Sequence, residues 1–201
     1  MKIENVVKKF DKNDIYLCPK CAAEAKIEGI SLICVDNHRY DFSKKGYIHL
    51  INNYKPTKYN EELFEARSTV FNNGFYGNVL DALGSLIEKY ARDRVLDVGC
   101  GEGYYIRKLK EKFPDKYFYG LDNSKDAIEL AVKEDKKNPY MIANLSNLPF
   151  RDNSVSCILN ILTPANYTEF FRVLGKDGYL IKVIPNAKYL KEIRSITAAK
   201  E

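Results

Sequence analysis

The sequence predicts an α/β protein in which a parallel sheet covered by helices follows a small metal-binding β module. From residue 94 onward, apolar strand-like runs alternate with amphipathic helical segments, the pattern of parallel strands joined by helices. Before them, three of the five cysteines and one of the two histidines fall between Cys18 and His38. With 201 residues, 45% of them hydrophobic, the chain is long enough to form a substantial core.

The composition favours a cytoplasmic protein with reduced thiols. No apolar run approaches the length that spans a membrane, and the first ten residues are too charged for a signal peptide. A disulfide framework is therefore disfavoured, and we expect no membrane partner. The net charge of +5 is by itself only weak evidence for an anionic partner.

Four side chains follow the spacing Cys18-x2-Cys21-x12-Cys34-x3-His38, which is typical of a tetrahedral zinc site. The alternation in residues 26–33 predicts a short hairpin that brings the two pairs together. A thioredoxin-like redox pair would need a flanking βαβ pattern, which this stretch lacks. Because four protein ligands leave no open position, we expect zinc to stabilise the fold and not to act in catalysis.

The remaining cysteines, Cys100 and Cys157, lie within or beside apolar runs and are expected to be small buried hydrophobes. His49 is expected to be a strand or loop residue. Residues 1 to about 16 form a charged leader of undetermined structure.

Between residues 39 and 59, five basic side chains are interleaved with five aromatic ones. Such a mixture can hold phosphates and stack on unpaired bases, or it can be a solvated face whose lysine stems cover a small core. Composition leaves these two alternatives open. The residues are Arg39, Lys44, Lys45, Lys55 and Lys58, with Tyr40, Phe42, Tyr47, Tyr54 and Tyr59.

Helical spacing predicts helices over residues 60–72 and 79–90, with Gly74 placed to end the first. The α/β part then follows in order. We predict strands over residues 94–98, 117–121, 140–143, 155–161 and 179–184, and helices over 104–112, 125–133, 166–173 and 188–196.

The segment VLDVGCGEGYY, residues 95–105, carries the main ligand-binding pattern. An apolar strand leads directly into three alternating glycines and then a helix, so backbone amides can approach a ligand closely. A dinucleotide fingerprint would need glycine at position 104, which is Tyr104. Asp122 ends the next strand, where a carboxylate can accept both hydroxyls of a ribose.

The Asp-x-Gly-x-Gly-x-Gly motif resembles motif I of class I S-adenosylmethionine-dependent methyltransferases. Nearly the whole chain resembles the bacterial 23S rRNA (guanine-N1)-methyltransferases of the RlmA type. This resemblance rests on the zinc spacing and on the segments HRYDFSKKGYIHLI, EARSTVFNNGFY, LDVGCGEGYY, GLDNSKDAI and LPFRDNS. It implies a Rossmann-like class I methyltransferase sheet preceded by a zinc-binding β module.

The resemblance also implies the ligands and the residues that bind them. Zn²⁺ would be held by Cys18, Cys21, Cys34 and His38. S-adenosyl-L-methionine would be bound by Tyr76, Asp97, Gly99, Gly101, Glu102, Gly103, Asp122, Asn123, Asn144, Leu145 and Tyr189. Two positions depart from the family pattern: Tyr189 stands where a histidine is usual, and Asn160 stands where an arginine is usual. No catalytic base is assigned.

We expect three parts: a zinc-binding RNA-recognition module in residues 1–58, a helical linker contributing to the cofactor pocket in 59–92, and the S-adenosylmethionine-binding domain in 93–201. The last part is short, since class I sheets usually gain two more strands; a truncated chain or a shortened paralogue would explain this. The expected function is methylation of guanine N1 in a 23S rRNA stem-loop, with a homodimer as one possible assembly. The alternatives are a catalytically degenerate zinc-containing RNA-binding protein and a small-molecule methyltransferase.

Overall fold

A computed structural model describes residues 1–10, 15–55 and 61–191. The first part contains a short helix and an antiparallel sheet with strand order β1-β2-β3-β4, followed by a fifth strand. The predicted hairpin is confirmed, because β2 and β3 pair around a turn in which Gly29 has φ +59°. These elements are α1 (Ile3–Val7), β1 (Tyr16–Leu17), β2 (Glu24–Glu28), β3 (Ser31–Cys34), β4 (Arg39–Asp41) and β5 (Tyr47–His49).

The second part alternates helices and strands as predicted, with most boundaries within one or two residues. The clearest difference is the last strand, which begins five residues earlier than predicted and has an irregular register after Leu174. The predicted helix over residues 188–196 falls mostly outside the described residues. The elements are α2 (Glu61–Asn72), α3 (Gly77–Tyr90), β6 (Arg94–Val98), α4 (Tyr104–Lys112), β7 (Tyr117–Asp122), α5 (Lys125–Glu134), β8 (Tyr140–Ile142), β9 (Val155–Ile161), α6 (Tyr167–Val173) and β10 (Leu174–Val183).

Six strands form one parallel sheet in the order β10-β9-β6-β7-β8-β5. In the described residues no strand follows β10. The edge strand β5 comes from the N-terminal part: Tyr47, Ile48 and His49 pair with residues 140–142 of β8. The proposed division at residue 58 therefore places one strand of the large sheet with the zinc-binding part.

The two faces of the large sheet are covered differently. Helices α3, α4 and α5 pack on one face, around buried residues such as Ile87, Ile106 and Ile128. The opposite face is covered by α6 together with α1 and the small antiparallel sheet, in one continuous apolar core. The zinc-binding part therefore occupies a position where the sequence led us to expect helices.

Burial settles several expectations about single residues. The leader is partly ordered, because Val6, Val7 and Phe10 join the core. Cys100 and Cys157 are buried, as predicted. Within the basic and aromatic segment Phe42 and Tyr47 are also buried, so these two rings form core and cannot stack on bases. In the described ranges we find no helix with the length and apolar character needed to cross a membrane.

Candidate metal centre and cofactor site

The four predicted metal ligands form one cluster, although they come from two separate turns. Their ligand atoms all lie within 4.8 Å of one another. Cys18 and Cys34 are buried, His38 is half-buried and Cys21 is exposed. The turns carry two residues in the left-handed region, Ala22 with φ +56° after the first pair and Asn37 with φ +59° before His38.

The spacing of the ligand atoms fits a tetrahedral zinc ion. Cys21 Sγ lies 3.8 Å from Cys34 Sγ. His38 Nδ1 lies 3.5 Å from the sulfur of Cys18 and 3.5 Å from that of Cys34. Zinc with Zn–S bonds of about 2.3 Å and Zn–N bonds of about 2.1 Å separates such atoms by about 3.8 and 3.6 Å. Three thiolates and one imidazole also match the preference of zinc for sulfur and nitrogen ligands.

The first metal-binding turn is joined to the loop of residues 144–151 in the large domain. Asn147 Nδ2 donates a 2.8 Å hydrogen bond to the carbonyl of Pro19, which lies between the two cysteines of the turn. The amide of Leu17 donates to the Pro149 carbonyl at 3.1 Å. An ion pair of 2.9 Å between Arg151 and Glu24 adds a side-chain contact. Hydrogen bonds and an ion pair therefore join the metal-binding turn to the loop that follows strand β8.

The glycine-rich turn joins β6 to α4, and its three glycines all have positive φ: +80° at Gly99, +55° at Gly101 and +73° at Gly103. The amide of Gly99 donates to the Leu121 carbonyl at 2.7 Å, which holds the turn against the end of β7. These dihedrals are costly for residues with a side chain, which explains the glycines. The turn lies at the carboxyl ends of the parallel strands, where ligands bind in open α/β sheets.

Gly103 is required by packing as well as by its dihedral. A Cβ at this position would overlap the hydroxyl of Tyr140. That ring is buried and its hydroxyl donates to Asp135 at 2.9 Å, so it cannot easily move away. The structure thus gives Gly103 a packing role, and it is not among the residues that line the cavities described below.

We expect Gly103→Ala to lower the free energy of unfolding by about 3 kcal/mol, the sum of a left-handed dihedral cost and overpacking. Gly29→Ala is the matched control, because Gly29 also has positive φ and a Cβ there would meet no described atom within 4 Å. The control should lose only about 1–2 kcal/mol. Urea unfolding of the three proteins measures both values, and equal losses would contradict the packing argument.

Asp122 joins the glycine-rich turn to the start of α5. Its Oδ2 accepts the amide of Gly101 at 2.9 Å, and its Oδ1 accepts the amide of Ser124 at 2.8 Å. Each carboxylate oxygen has a further lone pair, so Asp122 can still accept hydroxyl groups of a ligand. Asp122 and Asn123 line a cavity of about 270 Å³ together with Gly99, Gly101 and Leu145. We call it the outer cavity.

Two buried acids lie behind the outer cavity. Asp97 and Glu102 are each only 1% exposed and line a small adjoining space, the inner cavity. Both oxygens of Asp97 and Oε1 of Glu102 have no hydrogen-bond partner among the described residues. Burial, with Asp122 and Glu102 nearby, raises the pKa of Asp97 to about 8. Unpaired buried carboxyl groups are costly, so this arrangement indicates a cationic ligand.

The raised pKa predicts how stability changes with pH in the absence of ligand. Between about pH 4 and pH 8 the unfolded chain ionises Asp97 while the folded protein keeps it protonated, so this residue lowers the free energy of unfolding as pH rises. Its slope is at most about 1.4 kcal/mol per pH unit. Asp97→Asn should remove that slope in urea unfolding between pH 5 and 8. The exposed Asp93→Asn should retain it, and a slope unchanged in Asp97→Asn would contradict the prediction.

Arg67 on α2 borders both cavities. Its guanidinium carbon lies 5.8 Å from the ring centre of Phe64 and 5.7 Å from that of Phe71. Burial raises the pKa of Glu102 and of Asp122, and the charge of Arg67 opposes that rise. Among the described residues no carboxylate lies within ion-pair distance of Arg67. Arg67 is thus a cation held by aromatic rings and available to an anionic group.

A third space, of about 610 Å³, adjoins the cavities; we call it the aromatic cleft. It is lined by Phe75, Tyr76 and Tyr189 and shares Arg67 and Leu162 with the inner cavity. The hydroxyls of Tyr76 and Tyr189 share a 2.6 Å hydrogen bond. The two predicted cofactor residues therefore meet each other, and they line this cleft.

Asn144 lies in the loop after β8, where its Oδ1 accepts a hydrogen bond from the amide of Ser146 at 3.1 Å. It does not line the outer cavity, whereas its neighbours Ala143 and Leu145 do. Asn160, at the position of the family's arginine, is fully buried and donates to the Pro164 carbonyl at 3.0 Å. It braces the loop after β9 and does not face the cavities.

The sequence interpretation missed the wall formed by Phe64, Arg67 and Phe71. The signal was present, because these residues follow each other at helical spacings of three and four. An arginine within an otherwise apolar helical stripe was the clue to a charged ligand. Thr163 was missed too; it packs against Gly99, where a Cβ would lie 2.6 Å from its Oγ1.

Comparisons with known proteins agree with this geometry. Residues 16–55 match the family described as RlmA, N-terminal, and residues 95–178 match a methyltransferase domain. A Bacillus subtilis protein named "Putative 23S rRNA (guanine-N(1)-)-methyltransferase YxjB" is 37% identical over 190 residues, covering 90% of this chain and 67% of that protein. The Streptomyces fradiae 23S rRNA (guanine(748)-N(1))-methyltransferase is 29% identical, covering 88% and 65%.

A solved structure supports the fold alone. The plantazolicin methyltransferase BpumL, in complex with SAH, superimposes with a TM-score of 0.54 at 20% identity, covering 67% of this chain and 57% of that one. The chain spans about two thirds of the length of the curated relatives it matches. From the zinc-ribbon and methyltransferase matches and the 37% identity across most of its length, this chain belongs to the RlmA-type 23S rRNA (guanine-N1)-methyltransferase family.

Proposed function

We propose that this chain transfers a methyl group from S-adenosyl-L-methionine to N1 of a guanine in 23S rRNA. The S–CH3 bond breaks, S-adenosyl-L-homocysteine leaves, and the N1 proton is released to solvent. The observation that carries the proposal is the set of acids at the carboxyl ends of β6 and β7. Asp122 can accept hydrogen bonds from ribose hydroxyls, while both oxygens of the buried Asp97 and Oε1 of the buried Glu102 have no hydrogen-bond partner among the described residues. S-adenosyl-L-methionine, which carries an ammonium, a sulfonium and a ribose, complements this set.

The cofactor would occupy the outer and inner cavities. Asp122 would hold the ribose, while Asn123 and Leu145 would border the adenine. Asp97 and Glu102 would face the ammonium group, which lowers the pKa of Asp97 and brings that residue to its ionised form. Arg67 would bind the carboxylate of the methionyl part. We propose Gly99 and Gly101 for the close backbone approach to the cofactor.

When bound, the cofactor supplies a methyl group already activated by its sulfonium, so the protein acts mainly by positioning. Tyr76 and Tyr189, joined by their hydroxyls, would border the reacting side and limit access of water. Guanine N1 lies on the Watson–Crick edge, so the target has to leave its base pair or stack before it reaches this site.

The RNA assignment is supported by the names of the relatives and by the match to the RlmA N-terminal family. We propose that residues 1–58 contact an rRNA stem-loop, and that the cysteines and His38 hold structural zinc there. An rRNA substrate places the reaction in the cytoplasm. A homodimer stays a prediction, which light scattering of the purified chain tests.

The test uses the purified chain with an unmodified transcript of bacterial 23S rRNA and radiolabelled S-adenosyl-L-methionine. We expect label in the RNA and 1-methylguanosine in its nuclease digest by mass spectrometry. Calorimetry with the cofactor alone separates the alternatives. Absence of cofactor binding would favour a catalytically silent RNA-binding protein, and binding without RNA methylation would favour a small-molecule methyltransferase.

A further inference from the structure

The cofactor would occupy the outer and inner cavities, so the aromatic cleft is left for another ligand. Only its border residues, among them Arg67, Tyr76 and Tyr189, would also lie near the cofactor. The walls of the cleft come from helix α2, from the turn between α2 and α3 and from residues 185–190 after β10. Leu162, directly after β9, also lines the cleft, and its φ of +53° lies in the left-handed region. The cleft thus lies outside the carboxyl ends of β9 and β10, beside the cavities assigned to the cofactor.

Phe75 is the unusual residue of this cleft, because 62% of its surface is exposed. It follows Gly74, whose φ of +78° sets the turn. Its ring centre lies 5.1 Å from that of Tyr76, with the planes at 73°. Tyr76 is in turn tied to Tyr189. The Phe75 ring is therefore packed at a steep angle against the ring of Tyr76, while most of its surface stays exposed.

The cleft is mostly apolar and has few polar groups, of which Arg67 also lines the inner cavity. The paired hydroxyls of Tyr76 and Tyr189 can donate and accept hydrogen bonds, and Arg67 can donate to a carbonyl. Burial and the contact with Tyr189 raise the pKa of Tyr76 to about 12, so its hydroxyl stays protonated at neutral pH. Apolar and aromatic walls with a few polar groups suit a planar aromatic ligand that has a polar edge.

We propose that the aromatic cleft binds the target guanine as a single base turned out of the RNA, with Phe75 as its stacking face. This inference rests on the proposed function and adds the position of the substrate. Two features favour a base over other occupants. The cleft shares Arg67, Phe71 and Leu162 with the inner cavity, so a ligand there lies next to the cofactor. Stacking on an exposed ring is also how proteins hold unpaired bases.

The test compares methylation of the unmodified 23S rRNA transcript by wild type, Phe75→Ala and Phe75→Tyr. Losing one stacked base costs a factor of about 5 to 150, so we expect kcat/KM of Phe75→Ala to fall within that range. Phe75→Tyr retains a ring and should stay within about threefold of wild type. The affinity for S-adenosyl-L-methionine, measured by calorimetry, should be unchanged in both variants.

Phe171→Ala is the matched control, since Phe171 is also an exposed phenylalanine, at 65%, but lies on α6. It should leave kcat/KM unchanged. Wild-type kinetics in Phe75→Ala, or an equal loss in Phe171→Ala, would overturn the cleft proposal, as would weakened cofactor binding in Phe75→Ala. If the wild type does not methylate the transcript, the proposed function fails. The cleft proposal is then tested by measuring the binding of guanosine 5′-monophosphate to the SAH-bound protein. Phe75→Ala should abolish this binding and Phe75→Tyr should retain it.

Discussion

Cys34→Ser should release the bound zinc, unfold the small antiparallel sheet and weaken binding of S-adenosyl-L-methionine. Structural zinc supplies on the order of 10 kcal/mol to isolated zinc-binding peptides, so losing one thiolate removes several kcal/mol. We expect the melting temperature to fall by about 10 °C or more, at about 2–4 °C per kcal/mol for a chain of this size. The effect on the cofactor follows from the contacts of the first metal-binding turn.

Those contacts join Pro19 to Asn147 and Leu17 to Pro149, in the loop whose residue Leu145 lines the outer cavity. Because an unfolded turn no longer holds this loop, we expect cofactor affinity to fall about tenfold, or about 1.4 kcal/mol. The measurements are zinc content by mass spectrometry, thermal unfolding, and calorimetry with the cofactor.

Cys157→Ser is the control for the zinc experiment, because Cys157 is buried in β9 and lies outside the metal cluster. It should retain zinc even if its stability changes. Asn147→Ala removes one joining contact without touching a metal ligand, and should weaken cofactor binding by a smaller factor while retaining zinc. Complete zinc loss with unchanged cofactor affinity would show that the two sites are not coupled.

Arg67→Gln should weaken binding of S-adenosyl-L-methionine by about 10- to 100-fold, the value of a hydrogen bond to a charged group, about 1.5–3 kcal/mol. Arg67 contacts the rings of Phe64 and Phe71 and lines the two cavities that also contain Asp97, Glu102 and Asp122. Among the described residues it pairs with no carboxylate, so its charge is available to the carboxylate of the ligand. Arg67→Lys keeps the charge but loses the planar fork, and should lose less affinity than glutamine.

The control for the Arg67→Gln experiment is a second ligand that lacks the carboxylate. 5′-Methylthioadenosine keeps the adenosine and the sulfur but lacks the amino acid carboxylate, so its affinity should be the same for wild type and Arg67→Gln. Calorimetry with both ligands separates a specific carboxylate contact from general damage to the pocket. Equal losses for the two ligands would show that Arg67 supports the fold of the site and does not bind the carboxylate.

The parts of this structure that could be predicted depend on short-range patterns. The glycine-rich turn placed the end of β6 and the whole of α4 correctly, because alternating glycines after an apolar strand allow few backbone paths. The metal cluster was also predictable, since two short ligand pairs joined by a hairpin bring four side chains together with little freedom. Both features need only about 10 to 20 consecutive residues.

The features that escaped prediction depend on contacts between distant segments. Nothing local to Tyr47–His49 indicates that this strand pairs with β8, more than 90 residues later. The aromatic residues between residues 39 and 59 were equally ambiguous, because the burial of Phe42 and Tyr47 depends on which distant segments pack over them. Arg67 acts on Glu102 in the glycine-rich turn and on Asp122 at the end of β7, so its role appears only once the sheet has formed.

Strand β5 limits how this protein can be divided or recombined. The backbone leaves the metal-binding part and completes the large sheet before it reaches α2, so no cut after residue 49 separates two self-contained units. A deletion of residues 1–58 would leave β8 as an open edge and uncover apolar surface that the small sheet now protects, which favours aggregation. A zinc module that is exchanged between relatives therefore has to include strand β5. Without it the large sheet of the chimera would lack its edge strand.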